Sequence, residues 1–141
     1  MNAKDFNQMF NLAQEEQLKL KVDLNGLELN NPVMTASGTF GYGGEFWQLA
    51  DLNAIGSVVV KGIALEPNPG NPPPRVAETA AGMLNAIGLE NIGFKAFVNE
   101  RLPFLRKQNT KVIANIYGTE VAHYGELAAK FDAVDGVHGV E

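Results

Sequence analysis

The chain has 141 residues, of which 45% are hydrophobic and 19% charged, an ordinary composition for one modest globular domain. A net charge of −5 disfavours a general binder of nucleic acid or anionic membranes, because phosphate contact needs clustered Lys and Arg. Cysteine is absent, which excludes disulfides, thiolate metal sites and cysteine nucleophiles within these residues. The sequence has neither a signal-peptide pattern nor an apolar run near the ~20 residues of a membrane span, so we expect a cytoplasmic protein.

The chain opens with a predicted helix and a predicted hairpin. Apolar side chains at helical spacing, among them Phe6, Met9 and Phe10, predict a helical extension over residues 1–17. Apolar and polar residues then alternate over 18–24, which is typical of a half-buried strand. Asn25-Gly26 predicts a tight turn into a partner strand over 27–29.

The rest of the chain alternates apolar strands with amphipathic helices. Buried strands are predicted over 32–37, 57–62, 111–116 and 136–141. Helices are predicted over 45–50, over 94–105 with Pro103 kinking or dividing it, and over 120–131 with Thr119 as its cap. Residues 63–82 read as a long loop that leads into an apolar loop, 82–91, which we expect to be buried around Asn85.

This alternation indicates an α/β protein with parallel βα units. An open doubly wound sheet and a (β/α)₈ barrel both fit, and in a barrel the leading hairpin would plug one end. Such barrels need ~250 residues, so this chain would supply the hairpin and about the first four strands, with its barrel portion over 18–141. Ending on a strand leaves an uncovered parallel edge. We therefore expect a truncated piece of a longer protein.

Polar side chains are predicted where the parallel strands end. In both architectures ligands gather at the carboxyl ends of the strands. The residues there are Ser37, Lys61 with Gly62, and Asn115, and the loop that carries Asn85 would cover the same end. A hydroxyl, an ammonium and amides suit a planar, anionic ligand rich in hydrogen-bonding groups. The alternatives are that Lys61 extends to solvent, that Ser37 belongs to a turn, and that Asn115 satisfies a neighbouring loop.

Two other kinds of site are not indicated. His123 and His138 have no second histidine or carboxylate at metal-site spacing, so no metal site is predicted. The glycine-rich segment 38–44 matches neither the dinucleotide fingerprint nor a P-loop.

Taken together, the segments resemble the catalytic subunits of the class 1B dihydroorotate dehydrogenases. The matching residues are 31–41, 60–62, 70–79, 82–89, 113–116 and 135–137. The triple proline at 72–74 and the Asn-Ala-Ile-Gly-Leu stretch at 85–89 are the most specific of these segments. They favour the 1B type over the fumarate-using 1A type.

The resemblance implies an FMN-dependent (β/α)₈ barrel that oxidises dihydroorotate to orotate in pyrimidine synthesis. It implies that FMN contacts Ser37, Lys61, Gly62 and Asn115. It implies that the pyrimidine and its carboxylate are held by Lys61, Asn85, Ala86, Ile87, Gly88 and Leu89. It also implies a homodimer within a heterotetramer, whose partner subunit carries FAD and a 2Fe–2S cluster and reduces NAD⁺.

The resemblance places the general base, a cysteine in a Leu-Asn-Ile-Ser-Cys-Pro-Asn stretch, immediately after Glu141. We therefore expect no catalytic base within these residues, and a chain of 141 residues alone that neither folds stably nor turns over dihydroorotate. One alternative is an inactive fragment or partner-binding remnant. Another is a related FMN-barrel pyrimidine dehydrogenase, against which the triple proline argues.

Overall fold

A computed structural model describes residues 20–141, and the predicted helical extension over 1–17 lies outside them. The strands are β1 (Val22–Leu24), β2 (Leu27–Leu29), β3 (Ser57–Val59), β4 (Val76–Thr79), β5 (Gly82–Asn85), β6 (Lys111–Ala114) and β7 (Gly139–Val140). The helices are α1 (Gly93–Ala96), a π-helical segment (Phe97–Arg101), α2 (Leu102–Leu105) and α3 (Val121–Asp132). Short 3₁₀ helices span Gly44–Phe46 and Leu52–Ala54. Among the described residues, no helix is long and apolar enough to cross a membrane.

The leading hairpin is confirmed. β1 and β2 pair antiparallel, with Leu24 opposite Leu27. Asn25 and Gly26 have φ angles of 54° and 96°, the left-handed conformations that a two-residue hairpin turn requires. The Asp23 carboxylate accepts a hydrogen bond of 2.6 Å from Gly26 N and steadies the turn.

The central sheet is parallel, as the alternation of strands and helices predicts. Its order is β3-β6-β7, and both pairings are parallel. Met34 forms one further parallel bridge, to Ser57, on the other side of β3. Four chain segments therefore stand side by side in sequence order, which is the arrangement of the first four strands of a (β/α)₈ barrel.

The predicted buried strand over 32–37 is reduced to this one bridge, so the prediction was wrong in extent and burial. Val33 is 56% exposed, and Pro32 has no N–H to contribute to a ladder. The segment is joined to β3 through Val33 O, which accepts from Gly56 N at 2.9 Å. Within residues 20–141 no strand covers its other side.

The long loop predicted over 63–82 contains half of a hairpin that the sequence did not indicate. β4 and β5 pair antiparallel, from Val76 opposite Asn85 to Thr79 opposite Gly82. All eight of their residues are exposed, so the expected burial of the stretch around Asn85 was wrong. Because both faces of this hairpin lie in solvent, its apolar and polar residues do not alternate, and the sequence does not indicate the strands.

The helices differ from the predictions at their ends. Pro103 is the second residue of α2, and the π-helical segment before it divides the predicted helix as expected, because proline breaks the α-helical ladder. The predicted helix over 45–50 is only the 3₁₀ turn Gly44–Phe46. α3 begins with Glu120 as its cap residue, without a side-chain capping bond, so Thr119 is not the cap.

The core lies between the parallel sheet and the helices. Val58, Val60, Val112 and Ala114 are each at most 1% exposed. They pack in one cluster with Phe97, Leu102 and Leu105 of the divided helix and Leu127 and Phe131 of α3. The Phe97 and Phe131 rings meet edge to face at 6.0 Å, a favourable geometry for aromatic pairs. This packing fixes the strands, and with them the residues at the strand ends.

Candidate functional site

The candidate site is built at the carboxyl ends of neighbouring strands. Thr35, next to the Met34 bridge, is joined to β3 in both directions: Val59 N donates to Thr35 Oγ1 at 2.9 Å, and Thr35 Oγ1 donates to Val59 O at 3.3 Å. Ser37 lies two residues after Thr35, and Lys61 lies two residues after Val59. The structure therefore carries both residues out of the sheet at the same end.

The chain is irregular at Lys61 and Gly62. Val59 is in register with Ile113, whereas Ile63 is in register with Ile116. Three residues, 60–62, therefore lie opposite two, 114–115. Lys61 N donates to Gly41 O at 2.8 Å, outside the β3–β6 ladder. An extra residue of this kind bends a strand and changes the direction of its side chains, and such bulges are common beside active sites.

The side chains of Ser37 and Lys61 are free to bind a ligand. Both residues are half-buried. Within residues 20–141 neither side chain has a hydrogen-bond partner, and the ion pairs there, Arg75–Glu90 and Lys130–Glu126, do not include Lys61. Neither side-chain polar atom is among the fully buried unpaired groups of the described residues, so both still reach water and are accessible to a ligand. An anionic ligand at this edge would pair with the Lys61 ammonium.

Gly62 and Asn115 approach closely in the same region. A Cβ atom on residue 62 would stand 3.0 Å from Asn115 Oδ1, so the glycine leaves room for the amide. Asn115 Nδ2 donates to Glu141 Oε2 at 3.0 Å. Main-chain bonds of 2.9 Å, Glu141 N to Ala114 O and Ile116 N to Glu141 O, hold Glu141 beside the strand end. Sequence reasoning missed the Glu141 carboxylate, which orients the amide.

Asn85 is the last residue of β5, and residues 86–89 follow it away from the hairpin. Its side chain is exposed and finds no hydrogen-bond partner among residues 20–141. The stretch is anchored by Asn91, whose Oδ1 accepts from Ala64 N at 3.1 Å. Ala64 follows Ile63, which donates from its N to Asn115 O at 2.9 Å. Residues 85–91 are thereby tied to the chain that leaves the carboxyl end of β3.

Residues 68–75 support this stretch. Arg75 Nη1 lies 2.9 Å from Glu90 Oε2, so Arg75 braces the loop. Asn68, Asn71 and Asn91 also donate from their side chains to main-chain carbonyls of the stretch. The signal in the sequence was the number of asparagines flanking the prolines, which a propensity argument assigns simply to turns.

A cavity of about 610 Å³ lies at the opposite end of the sheet. It is open to solvent on one side and is lined by the leading hairpin and by the amino ends of β6 and β7. Its lining mixes cations such as Lys21 and Arg106 with anions such as Glu28 and Asp135. Because ligands of parallel βα folds bind at the carboxyl ends of the strands, this cavity is not the candidate site.

Known proteins resemble the chain over nearly all of its described part. The family model described as dihydroorotate dehydrogenase matches residues 19–140. The catalytic subunit of dihydroorotate dehydrogenase B (NAD(+)) from Geotalea daltonii is 56% identical over 122 residues, which are 86% of this chain and 40% of that protein. The same subunit from Thermodesulfovibrio yellowstonii is 53% identical with the same coverage.

A solved structure is also similar. The crystal structure of DHODH in complex with ferulenol from Eimeria tenella aligns with a TM-score of 0.56 and 22% identity, over 82% of this chain and 34% of that one. At this identity the likeness supports the barrel fold alone. The chain spans about 40% of the length of the curated relatives that it matches. The match to the family model covers most of the chain, and the chain therefore belongs to the dihydroorotate dehydrogenase family.

Proposed function

We propose that this chain forms the amino-terminal half of a flavin-dependent barrel that oxidises dihydroorotate to orotate in pyrimidine synthesis. The observation that carries the proposal is Lys61, a half-buried residue at the strand ends for whose ammonium residues 20–141 provide no anionic partner. It stands at the bulge between β3 and the Gly62–Asn115 contact. An anionic, planar ligand fits this charge and the hydroxyl of Ser37, which leaves the sheet at the same end.

The residues at the strand ends suit FMN. Gly62 presents main chain without a Cβ, and the donors of Ser37 and Lys61 have no partner within residues 20–141. Ser37, Lys61, Gly62 and Asn115 would hold the isoalloxazine edge. FMN, when bound, would accept the hydride from the substrate. A fixed ammonium beside a site where negative charge develops stabilises that charge strongly, because water is excluded there.

The stretch from Asn85 to Leu89 would bind the pyrimidine. The Asn85 amide offers both a donor and an acceptor, as the edge of a cyclic imide requires. Lys61 would also face the substrate carboxylate. Ile87 and Leu89 would exclude water from the reacting face. The cysteine that the family resemblance implies as general base would come from outside this segment, since the 141 residues contain no cysteine.

We propose further that electrons leave through a partner subunit with FAD and a 2Fe–2S cluster and reduce NAD⁺. The words "catalytic subunit" and "NAD(+)" in the names of the curated relatives support a partner of this kind. A homodimer of catalytic subunits within a heterotetramer is the assembly that we expect.

A chimera tests the reaction. Residues 20–141 would replace the matching segment of the Geotalea daltonii subunit, so that the barrel is complete. We expect the purified chimera to retain FMN and to form orotate from dihydroorotate with an artificial electron acceptor. A chimera that folds and binds FMN but forms no orotate would contradict the proposal.

A further inference from the structure

Residues 68–75 and 86–91 run alongside each other as two antiparallel stretches. Asn68 and Asn91 form an antiparallel bridge that closes the far end of this pairing. Main-chain hydrogen bonds of 2.8–2.9 Å join Asn68 to Asn91 in both directions, Asn71 N to Ile87 O, and Ala86 N to Arg75 O. The pairing extends the β4–β5 hairpin beyond Val76 and Asn85, and it includes the candidate substrate-binding residues 86–89.

Three side-chain amides add a second set of bonds. Asn71 Nδ2 donates to Ala86 O at 2.9 Å, Asn68 Nδ2 to Gly88 O at 3.0 Å, and Asn91 Nδ2 to Leu89 O at 3.0 Å. The carbonyls of residues 86, 88 and 89 are therefore each held by a side-chain amide, two of them from the neighbouring stretch and one from Asn91. The main chain of this stretch is fixed by amides that are not themselves in the candidate substrate set.

The stretch needs such support because its conformation is unfavourable. Leu89 has a φ of 57°, which costs a residue with a side chain roughly 1–2 kcal/mol. Its side chain is 60% exposed, so packing does little to hold it. Gly88 has a φ of 79°, and a Cβ there would stand 2.7 Å from Asn71. Strained conformations persist only when their surroundings determine them, and here hydrogen bonds do so.

We propose that Asn68, Asn71 and Asn91 are positioning residues that hold the 85–89 stretch in its ligand-binding conformation before the ligand arrives. A preformed site avoids the free-energy cost of ordering a loop on binding. The ligand is a planar cyclic imide with a carboxylate, and this part of the inference rests on the proposed function. The three amides would then lower the KM for this ligand without contacting it.

The test uses three variants of the chimera: Asn71→Ala, Asn71→Asp, and the double variant Asn68→Ala with Asn71→Ala. Asn71→Asp keeps the shape of the side chain but loses the amide donor. Asn99→Ala, at an exposed helical position, is the matched control. We expect the KM for dihydroorotate to rise about tenfold in the double variant, with kcat within about threefold and FMN content unchanged. Amide hydrogen exchange of Ala86, whose N–H donates to Arg75 O across the pairing, should become faster without ligand in the same variants.

A KM within about twofold of the parent in the double variant, together with unchanged exchange, overturns the inference. Asn91 is left intact because it is 4% exposed and also supports Ala64 and Gly93, so its loss would disturb folding. A parent chimera that forms no orotate would refute the proposed function instead. The exchange comparison would still decide whether the amides order the stretch.

Discussion

Gly62 and Asn115 lie so close that a Cβ atom on residue 62 would stand 3.0 Å from Asn115 Oδ1. The amide has little freedom to move away, because its Nδ2 donates to Glu141 Oε2 at 3.0 Å. A methyl group at position 62 must therefore displace the amide or shift the bulged main chain beside Lys61. Both changes alter the surface that we assign to FMN.

The substitution Gly62→Ala is expected to weaken FMN binding by the chimera about tenfold, equivalent to about 1.4 kcal/mol. Gly125→Ala is the control, since a Cβ there meets open space and the position lies within α3. Alanine in place of glycine in a helix stabilises it by roughly 0.5–1 kcal/mol. Flavin titration monitored by fluorescence measures both variants. Equal FMN affinity in Gly62→Ala and the parent would show that the glycine is not part of the flavin site.

Tyr42 links the core to the stretch that follows residue 91. Its hydroxyl oxygen accepts a hydrogen bond of 3.2 Å from Ile92 N, and burial raises the pKa of the phenol. Tyr42→Phe leaves the Ile92 N–H without this partner. Urea denaturation of the chimera should show a free energy of unfolding lower by about 1–3 kcal/mol. Tyr124→Phe, at a residue 43% exposed, should change it by less than about 0.5 kcal/mol.

His138 gives the fold a dependence on pH. Its Nδ1 accepts a hydrogen bond of 3.1 Å from Val112 N, which requires the neutral ring. Loss of hydration at the imidazole, followed by the nearby Lys111, lowers its pKa from the ordinary value of 6.5, against a smaller opposing effect of Asp135. The unfolded chain therefore binds more protons between the lowered pKa and 6.5. The free energy of unfolding should fall as the pH drops through this range and level off below it.

Urea midpoints of the chimera measured from about pH 7.5 to 5.5 check this expectation, in a range above the titration of most carboxylates. In His138→Asn an amide oxygen can accept from Val112 N at every pH, so the fall should be smaller. His123→Asn serves as the control and should keep the slope of the parent. A slope unchanged by His138→Asn would assign the pH dependence to other groups.

A polypeptide of residues 1–141 alone is expected not to fold stably. The two outer segments of its parallel sheet expose apolar side chains, with Val33 56% and Val140 47% exposed. Parallel strands are normally covered on both sides, and open edges promote association. Circular dichroism in urea should give a broad transition at low denaturant, and the polypeptide should form no orotate. A cooperative transition with about 5 kcal/mol of stability, or steady orotate formation, would refute this expectation.

The sequence predicted the parts of the fold whose physics is local. Asn25-Gly26 determines its hairpin because both residues accept positive φ. The apolar strands predicted over 57–62 and 111–116 are present as the shorter strands β3 and β6. The β4–β5 hairpin was missed because its residues are exposed on both faces and Ala80-Ala81 is not a typical hairpin turn.

The candidate site, too, could be predicted from the sequence only in part. Ser37, Lys61 and Asn115 could be predicted because strand ends meet at one edge of a parallel sheet. The bulge at Lys61 and Gly62 could not, since it follows from a register difference between two strands. The side chains of Asn68 and Asn71 donate to carbonyls 20 and 15 residues away, contacts that a local pattern does not reveal.

Lys61 gives the most direct test of the proposed chemistry. The FMN-loaded chimera would be mixed with dihydroorotate without oxygen, and loss of the visible flavin absorption would be followed in a single turnover. We expect the absorption to bleach in the parent and in Lys95→Met, whose lysine is exposed in α1. Lys61→Met should bleach at least about a hundredfold more slowly, because it lacks the fixed positive charge. Equal bleaching rates in Lys61→Met and the parent, or no bleaching in the loaded parent, would contradict the proposed function.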